Sequence, residues 1–145
     1  MAELHFEINA KSESATRTTV QARDFKLTID EPESLGGTDA GPNPVEYELA
    51  ALSGCLNVMG HLVAKEMGFE LKSMDMKIQG DIDPGRFSGA SMKERAGYKD
   101  IRVSIKAETD ADAPTLRKWL ETIENRCPVS DNLAHTTPVK LEISS

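Results

Sequence analysis

The chain has no excess of positive charge. It has 145 residues, with 17 basic side chains against 24 acidic ones, for a net charge of −7. Nucleic-acid binding rests on phosphate neutralisation by Lys and Arg, so this balance argues against a nucleic-acid partner, and against an anionic membrane surface as well. There is also no long hydrophobic run. The most apolar stretch, Leu49 to Ala64, carries Asn57 and His61 and falls short of the ~20 apolar residues that a bilayer requires. The N-terminus, Met-Ala-Glu-Leu-His-Phe, has neither the basic nor the apolar region of a signal peptide, so the expected location is cytoplasmic. Repeats and low-complexity tracts are missing too. Cysteine is scarce, with only Cys55 and Cys127, and no Cys-x-x-Cys occurs. In a reducing compartment two such cysteines disfavour a static bridge, and any pairing between them points to transient chemistry.

The length suits one domain, and a chain of this size buries enough surface to need no staple. The hydrophobic pattern supplies the elements. Leu4, Phe6 and Ile8 alternate with polar residues and predict a strand; Thr16 to Ala22 predicts a second, and Phe25, Leu27 and Ile29 a third. Residues 30–41 hold Pro32, Gly36, Gly37 and Gly41 and read as a loop. A long helix then starts at Asn43 as N-cap, with Pro44 in the first turn and Glu46 closing a capping box, and it stops at Gly68. Val45, Leu49, Leu52, Leu56, Met59 and Val63 form one apolar stripe; Ala51, Cys55, Val58 and Leu62 form another, which predicts burial nearly all round. Strands are expected around Met74–Ile78 and Ile101–Ile105, joined by a long mobile connection over 83–97. A second helix, capped by Asp112, buries Leu116, Trp119, Leu120 and Ile123; a short helix follows Cys127-Pro128, and Val139, Leu141 and Ile143 predict a last strand. The order β3-α-β2-α2-β is an α+β pattern over a single domain, 1–145.

Chemistry centres on the cysteines, which lie 72 positions apart. Cys55 is mid-helix, near Gly54 and Gly60, where glycine implies that something packs closely; taken alone it reads first as a small buried hydrophobe. Cys127 precedes Pro128. Either it is the N-cap of the short helix, where the helix dipole and Arg126 favour a thiolate, or Ser130 caps that helix and Cys127 merely ends the previous one. His61 lies about 240° around the helix from Cys55, so the two do not face each other. His5, His61 and His135 are scattered, which argues against a zinc site, although His135 could approach Cys127 in space. Gly36-Gly37-Thr38 lacks the Lys-Ser/Thr of a phosphate loop and reads as a turn.

Two segments resemble a known family. The run from Asp30 to Glu46, including Gly-Gly-Thr-Asp-Ala-Gly-Pro-Asn-Pro-Val-Glu, with Leu49-Ala-Ala-Leu-Ser-Gly-Cys55 after it, is similar to the osmotically inducible protein C (OsmC) family, which includes the organic hydroperoxide resistance proteins. Cys127-Pro-Val-Ser-Asp-Asn-Leu133 resembles that family's second cysteine motif. The resemblance implies an intertwined homodimer with long central helices and interface active sites. It implies a thiol peroxidase in which Cys55 attacks an organic hydroperoxide and Cys127 resolves the product as a disulfide. No bound cofactor is implied; an external dithiol such as a lipoyl group is the reductant. The family's catalytic Glu would fall at Val45, and Glu46 lies about 100° around the helix from that position. Glu46 is retained as a candidate beside its capping role. The family's thiolate-stabilising Arg corresponds to Arg17 or Arg23, of which Arg23 is preferred. Val45 also keeps open a second reading, a small-ligand binding or redox-sensing dimer without turnover.

Overall fold

The computed structural model describes residues 1–144. Its contacts divide the chain into two compact units, Met1–Ala50 and Ala51–Ser145. The fold is α+β, with two small antiparallel sheets and several helices, as the sequence order implies.

In the first unit, β1 (Asn9–Ser12), β2 (Thr18–Ala22) and β3 (Phe25–Ile29) form a meander. Register follows from the turns: Ser12 faces Thr18, and Ala22 faces Phe25 across the two-residue turn Arg23-Asp24. Arg23 has a positive φ of 52°, as a tight hairpin turn of this kind demands. The strand expected over Leu4, Phe6 and Ile8 does not form; pairing begins only at Asn9, and those three side chains are exposed. A half-buried strand needs an edge to pair with and a face to cover it, and residues 1–8 find neither in this chain.

The loop after β3 is built around a buried carboxylate. Asp30 has no accessible surface, and its oxygens accept from the backbone N–H groups of Glu31, Thr38 and Ala40 and from the Thr38 hydroxyl at 2.5 Å. That hydroxyl, with the other donors, holds the Asp30 carboxyl far below its ordinary range, against the opposing effect of burial. Gly37 lies against the Glu31 carbonyl so closely that no Cβ fits there. Helix α1 (Pro44–Met67) then starts with the expected capping box: Asn43 N–H donates to Glu46 Oε1 and Glu46 N–H to Asn43 Oδ1, both at 2.9 Å. The Tyr47 hydroxyl donates to the Thr28 carbonyl and fixes the first turn of α1 against β3.

In the second unit, β4 (Leu71–Ile82) pairs with β5 (Tyr98–Thr109) in a long ribbon, longer at both ends than the apolar alternation alone indicates. The connection between them is organised. It contains a helical turn, α2 (Gly85–Ser88), and Arg86 donates to the carbonyls of Met92 and Glu94. Helix α3 (Ala113–Arg126) is capped by Asp112, which accepts from Thr115 N–H. A short α4 (Pro128–Ala134) follows. The core joins Leu52, Leu56, Met59, Val63 and Ala64 of α1 to Met74, Trp119, Ile123 and Cys127. The Trp119 indole N–H donates to the Gly60 carbonyl at 2.8 Å, and Gly60 is where a Cβ would collide with Met74 and Trp119.

Three expectations fail here. The second stripe of α1 is not buried in the chain: Val58 is 64% exposed, Leu62 is also exposed, and Cys55 sits at the boundary between the stripes. Leu120 on α3 is likewise exposed. The last strand over Val139, Leu141 and Ile143 is not formed, and these side chains are exposed. As at the N-terminus, the alternation is present and no edge in this chain receives it. Among the described residues, no helix is long and apolar enough to cross a membrane.

Candidate active site

The fold brings Cys55 and Cys127 together. Their sulfurs lie 2.8 Å apart, with the Cys127 thiol donating to Cys55 Sγ, and both cysteines are free. Two physical causes place them. Cys55 occupies the edge of the buried stripe of α1, so it faces the core without being sealed in it. Cys127 stands where one helix ends and another begins. Its backbone N–H donates to the Ile123 carbonyl as C-cap of α3, its carbonyl accepts from Asp131 N–H, and its sulfur accepts from Ser130 N–H at 3.4 Å as N-cap of α4. The sequence alternatives for Cys127 were cap or terminator; the structure makes it both. Pro128 fits the first turn of α4, where no N–H is required.

The environments of the two sulfurs differ. Cys127 is 1% exposed, whereas Cys55 is half-buried. Burial pushes the Cys127 thiol above its ordinary value, and the hydrogen bond to Cys55 raises it further; the Ser130 N–H acts in the opposite direction and is outweighed. This corrects the expectation that the helix dipole and Arg126 hold Cys127 as a thiolate. Desolvation of a charged sulfur costs more than one capping bond recovers. Arg126 is occupied elsewhere: its guanidinium makes a two-pronged bridge to Glu66, at 2.6 and 3.1 Å. His135 does not meet Cys127; its Nδ1 lies 3.1 Å from Asp131 Oδ1.

The other two candidates lie in the first unit, and each has a local role there. Arg23 is the hairpin-turn residue, stacked over the Phe25 ring with Cζ 5.0 Å from the centroid. Glu46 is held in the capping box with Asn43. Among the described residues no ion pair joins Arg23 to Glu46, so the Arg–Glu pair that the resemblance implies is not formed between these two. Among the described residues no group of His, Cys, Asp or Glu side chains has the arrangement of a metal site.

Asp30 and the Glu66–Arg126 bridge were not singled out from the sequence. Asp30 carries a signal in retrospect: an acid followed by Pro, Gly-Gly-Thr and Gly-Pro marks a loop with many backbone N–H groups to satisfy. The bridge carries none, because its partners lie far apart in the chain.

Comparison with known proteins agrees with this fold. The family model described as OsmC-like protein matches residues 37–142. No curated protein matches the chain significantly. An OsmC-like protein from Mycoplasma pneumoniae has a similar structure, with a TM-score of 0.81 at 17% identity, covering 93% of this chain and 91% of that one. An organic hydroperoxide resistance protein OsmC from Legionella pneumophila, described also as a predicted redox protein, gives 0.65 at 19% identity, with coverages of 92% and 91%. An organic hydroperoxide resistance protein from Elizabethkingia anophelis, with thiocyanate bound, gives 0.65 at 18% identity and covers 93% of both chains. The matched segment takes in the Gly-rich loop from Gly37, the whole of α1 with Cys55, and the Cys127-Pro128 turn, and by that match the chain belongs to the OsmC-like protein family.

Proposed function

We propose that this chain is a cytoplasmic, stress-related thiol peroxidase that reduces organic hydroperoxides through Cys55 and Cys127. The observation that carries the reading is the pair of free sulfurs 2.8 Å apart, on one half-buried and one buried cysteine. Cys55 is the attacking residue, because it is the less buried of the two. Its thiolate attacks the terminal peroxide oxygen, the O–O bond breaks, and the alkoxide leaves with a proton as the alcohol. Cys55 is then a sulfenic acid. Cys127 Sγ, already in contact, displaces the hydroxyl; water departs with the Cys127 proton, and the disulfide forms. An external dithiol returns both thiols by exchange and is itself oxidised to its disulfide. A neutral thiol at Cys127 suits this sequence, because it leaves Cys55 as the sulfur that meets peroxide first. The family relatives named for organic hydroperoxide resistance support the substrate class.

The working form is a homodimer. Leu4, Phe6 and Ile8, Val139, Leu141 and Ile143, and Val58 and Leu62 on α1 are apolar side chains left open in the single chain, and a second copy of the chain is the occupant that would cover them. Sedimentation should give twice the chain mass.

The test of activity is stopped-flow reaction of the reduced protein with cumene hydroperoxide under dithiol recycling. Wild type should turn over; Cys55→Ser should be inactive, and Cys127→Ser should react once and stall. Equal, slow oxidation of wild type and Cys55→Ser would refute the proposal. One observation favours the second reading, a ligand-binding or redox-sensing dimer without turnover: Val45 stands where the family's Glu would be, and Glu46 and Arg23 are engaged locally. That reading predicts ligand binding with no peroxide consumption.

A further inference from the structure

We propose that the ion pair between Glu66 and Arg126 is a positioning device that sets how readily Cys55 and Cys127 pair, an inference that rests on the redox reading of those cysteines. Arg126 is the last residue of α3 and Cys127 is its C-cap, so the two are joined by one peptide unit. They reach α1 in opposite directions. Cys127 meets Cys55, whereas Arg126 meets Glu66, roughly 16 Å further along α1 at 1.5 Å per residue. Between these points, Trp119 of α3 is fixed to the Gly60 carbonyl. The end of α3 is thereby tethered to α1 on both sides of a central anchor.

The geometry of the bridge is suited to a brace. The two terminal guanidinium nitrogens each donate to one carboxylate oxygen, at 2.6 and 3.1 Å, which fixes orientation as well as distance. Among the described residues it is the one ion pair that links α1 to α3. Cys127 has no slack of its own, because its N–H, its carbonyl and its sulfur are all committed to the two helices it joins. Any slide of the α3 end along α1 therefore carries the sulfur with it. The bridge also neutralises Arg126. A free guanidinium beside the pair would favour thiolate over disulfide, so loss of Glu66 should disfavour pairing by position and by charge, and loss of Arg126 by position alone.

The readout is the equilibrium with glutathione. The protein dithiol reduces oxidised glutathione to two glutathione molecules and becomes the Cys55–Cys127 disulfide; the constant follows from acid-quenched samples separated by mass. Glu66→Gln and Arg126→Gln should each lower that constant by about two- to fivefold, in keeping with a half-exposed bridge. Glu66→Gln should show the larger loss, and the double exchange Glu66→Arg with Arg126→Glu should recover most of it. Glu124→Gln, an exposed carboxylate change on α3, should leave it unchanged. Both bridge residues are partly exposed, so the variants should fold, which far-UV circular dichroism checks. A merely stabilising surface bridge would lower the unfolding temperature and leave the glutathione constant in place, and that result would overturn the proposal. So would failure of the double exchange to recover anything. The measurement uses no peroxide. An inactive protein with shifted constants would sink the peroxidase reading and keep the brace; an active one with unshifted constants would sink the brace alone.

Discussion

Oxidation of Cys55 and Cys127 should stabilise the folded chain by an amount that the loop between them determines. The two residues are 72 positions apart, and their sulfurs are in contact in the reduced fold. Closing a loop of that length removes chain entropy from the unfolded state, worth about 4 kcal/mol at room temperature. Because the sulfurs already meet, little folded-state rearrangement should subtract from this. The expected consequence is a rise of about 2 M in the urea midpoint and of about 10 °C in Tm. The same free energy appears in reverse as a roughly thousandfold preference for the disulfide in the folded chain over the unfolded one. The assay is paired urea titration of diamide-oxidised and phosphine-reduced protein, read by Trp119 fluorescence and circular dichroism. Cys55→Ser and Cys127→Ser should show no difference between the two conditions. If the oxidised protein gained less than about 1 kcal/mol, or lost stability, the sulfurs would have to be pulled together against the fold, and the reasoning would fail.

Other outcomes follow from the same structure. Limited treatment of the reduced protein with iodoacetamide at neutral pH should alkylate Cys55 before Cys127, since Cys127 is buried and its thiol is raised above its ordinary value; peptide mapping that found Cys127 labelled first would contradict the assignment of roles. Asp30 has a depressed pKa in the fold, so its contribution to stability is complete above its ordinary value of 3.8 and is lost as pH falls below it. Tm measured from pH 6 to pH 2 should fall in wild type, and the Asp30→Asn variant should start lower and lose less. Gly60→Ala should cost about 1–3 kcal/mol, because a Cβ there lies 2.7 Å from Met74 Sδ and 3.2 Å from Trp119, which is itself pinned to the Gly60 carbonyl; an unchanged urea midpoint would show that Met74 yields freely.

The parts legible in the sequence are those governed by local rules. Asn43, Pro44 and Glu46 announce the start of α1, and Asp112 announces α3, because caps are satisfied by neighbours in the chain. The β2–β3 hairpin follows from alternation and a short turn. The two cysteines were identifiable as a pair only through the family resemblance. Nothing in their separation requires contact; the approach depends on how α1 and α3 pack. Failures cluster where the deciding interaction is distant or outside the chain. Leu4, Phe6 and Ile8 and Val139, Leu141 and Ile143 alternate correctly, but alternation records a face to be buried and not the strand that buries it. Val58 and Leu62 on α1 fail for the same reason. Arg126 was read as a charge beside Cys127 because sequence adjacency is visible and Glu66 is not. The ionisation of Cys127 is not legible in the sequence, because a cap is apparent there and burial is not.

Whether Cys55 and Cys127 act as one redox unit on a peroxide is decided by single-turnover mass spectrometry. Reduced protein is mixed with one equivalent of cumene hydroperoxide, quenched with acid and analysed intact and after digestion. The expected products are a chain lighter by two hydrogens, one cumyl alcohol, and a peptide joined through Cys55 and Cys127. Accumulation of Cys55 sulfinic acid with Cys127 still a free thiol, or no reaction at all, would contradict that joint action.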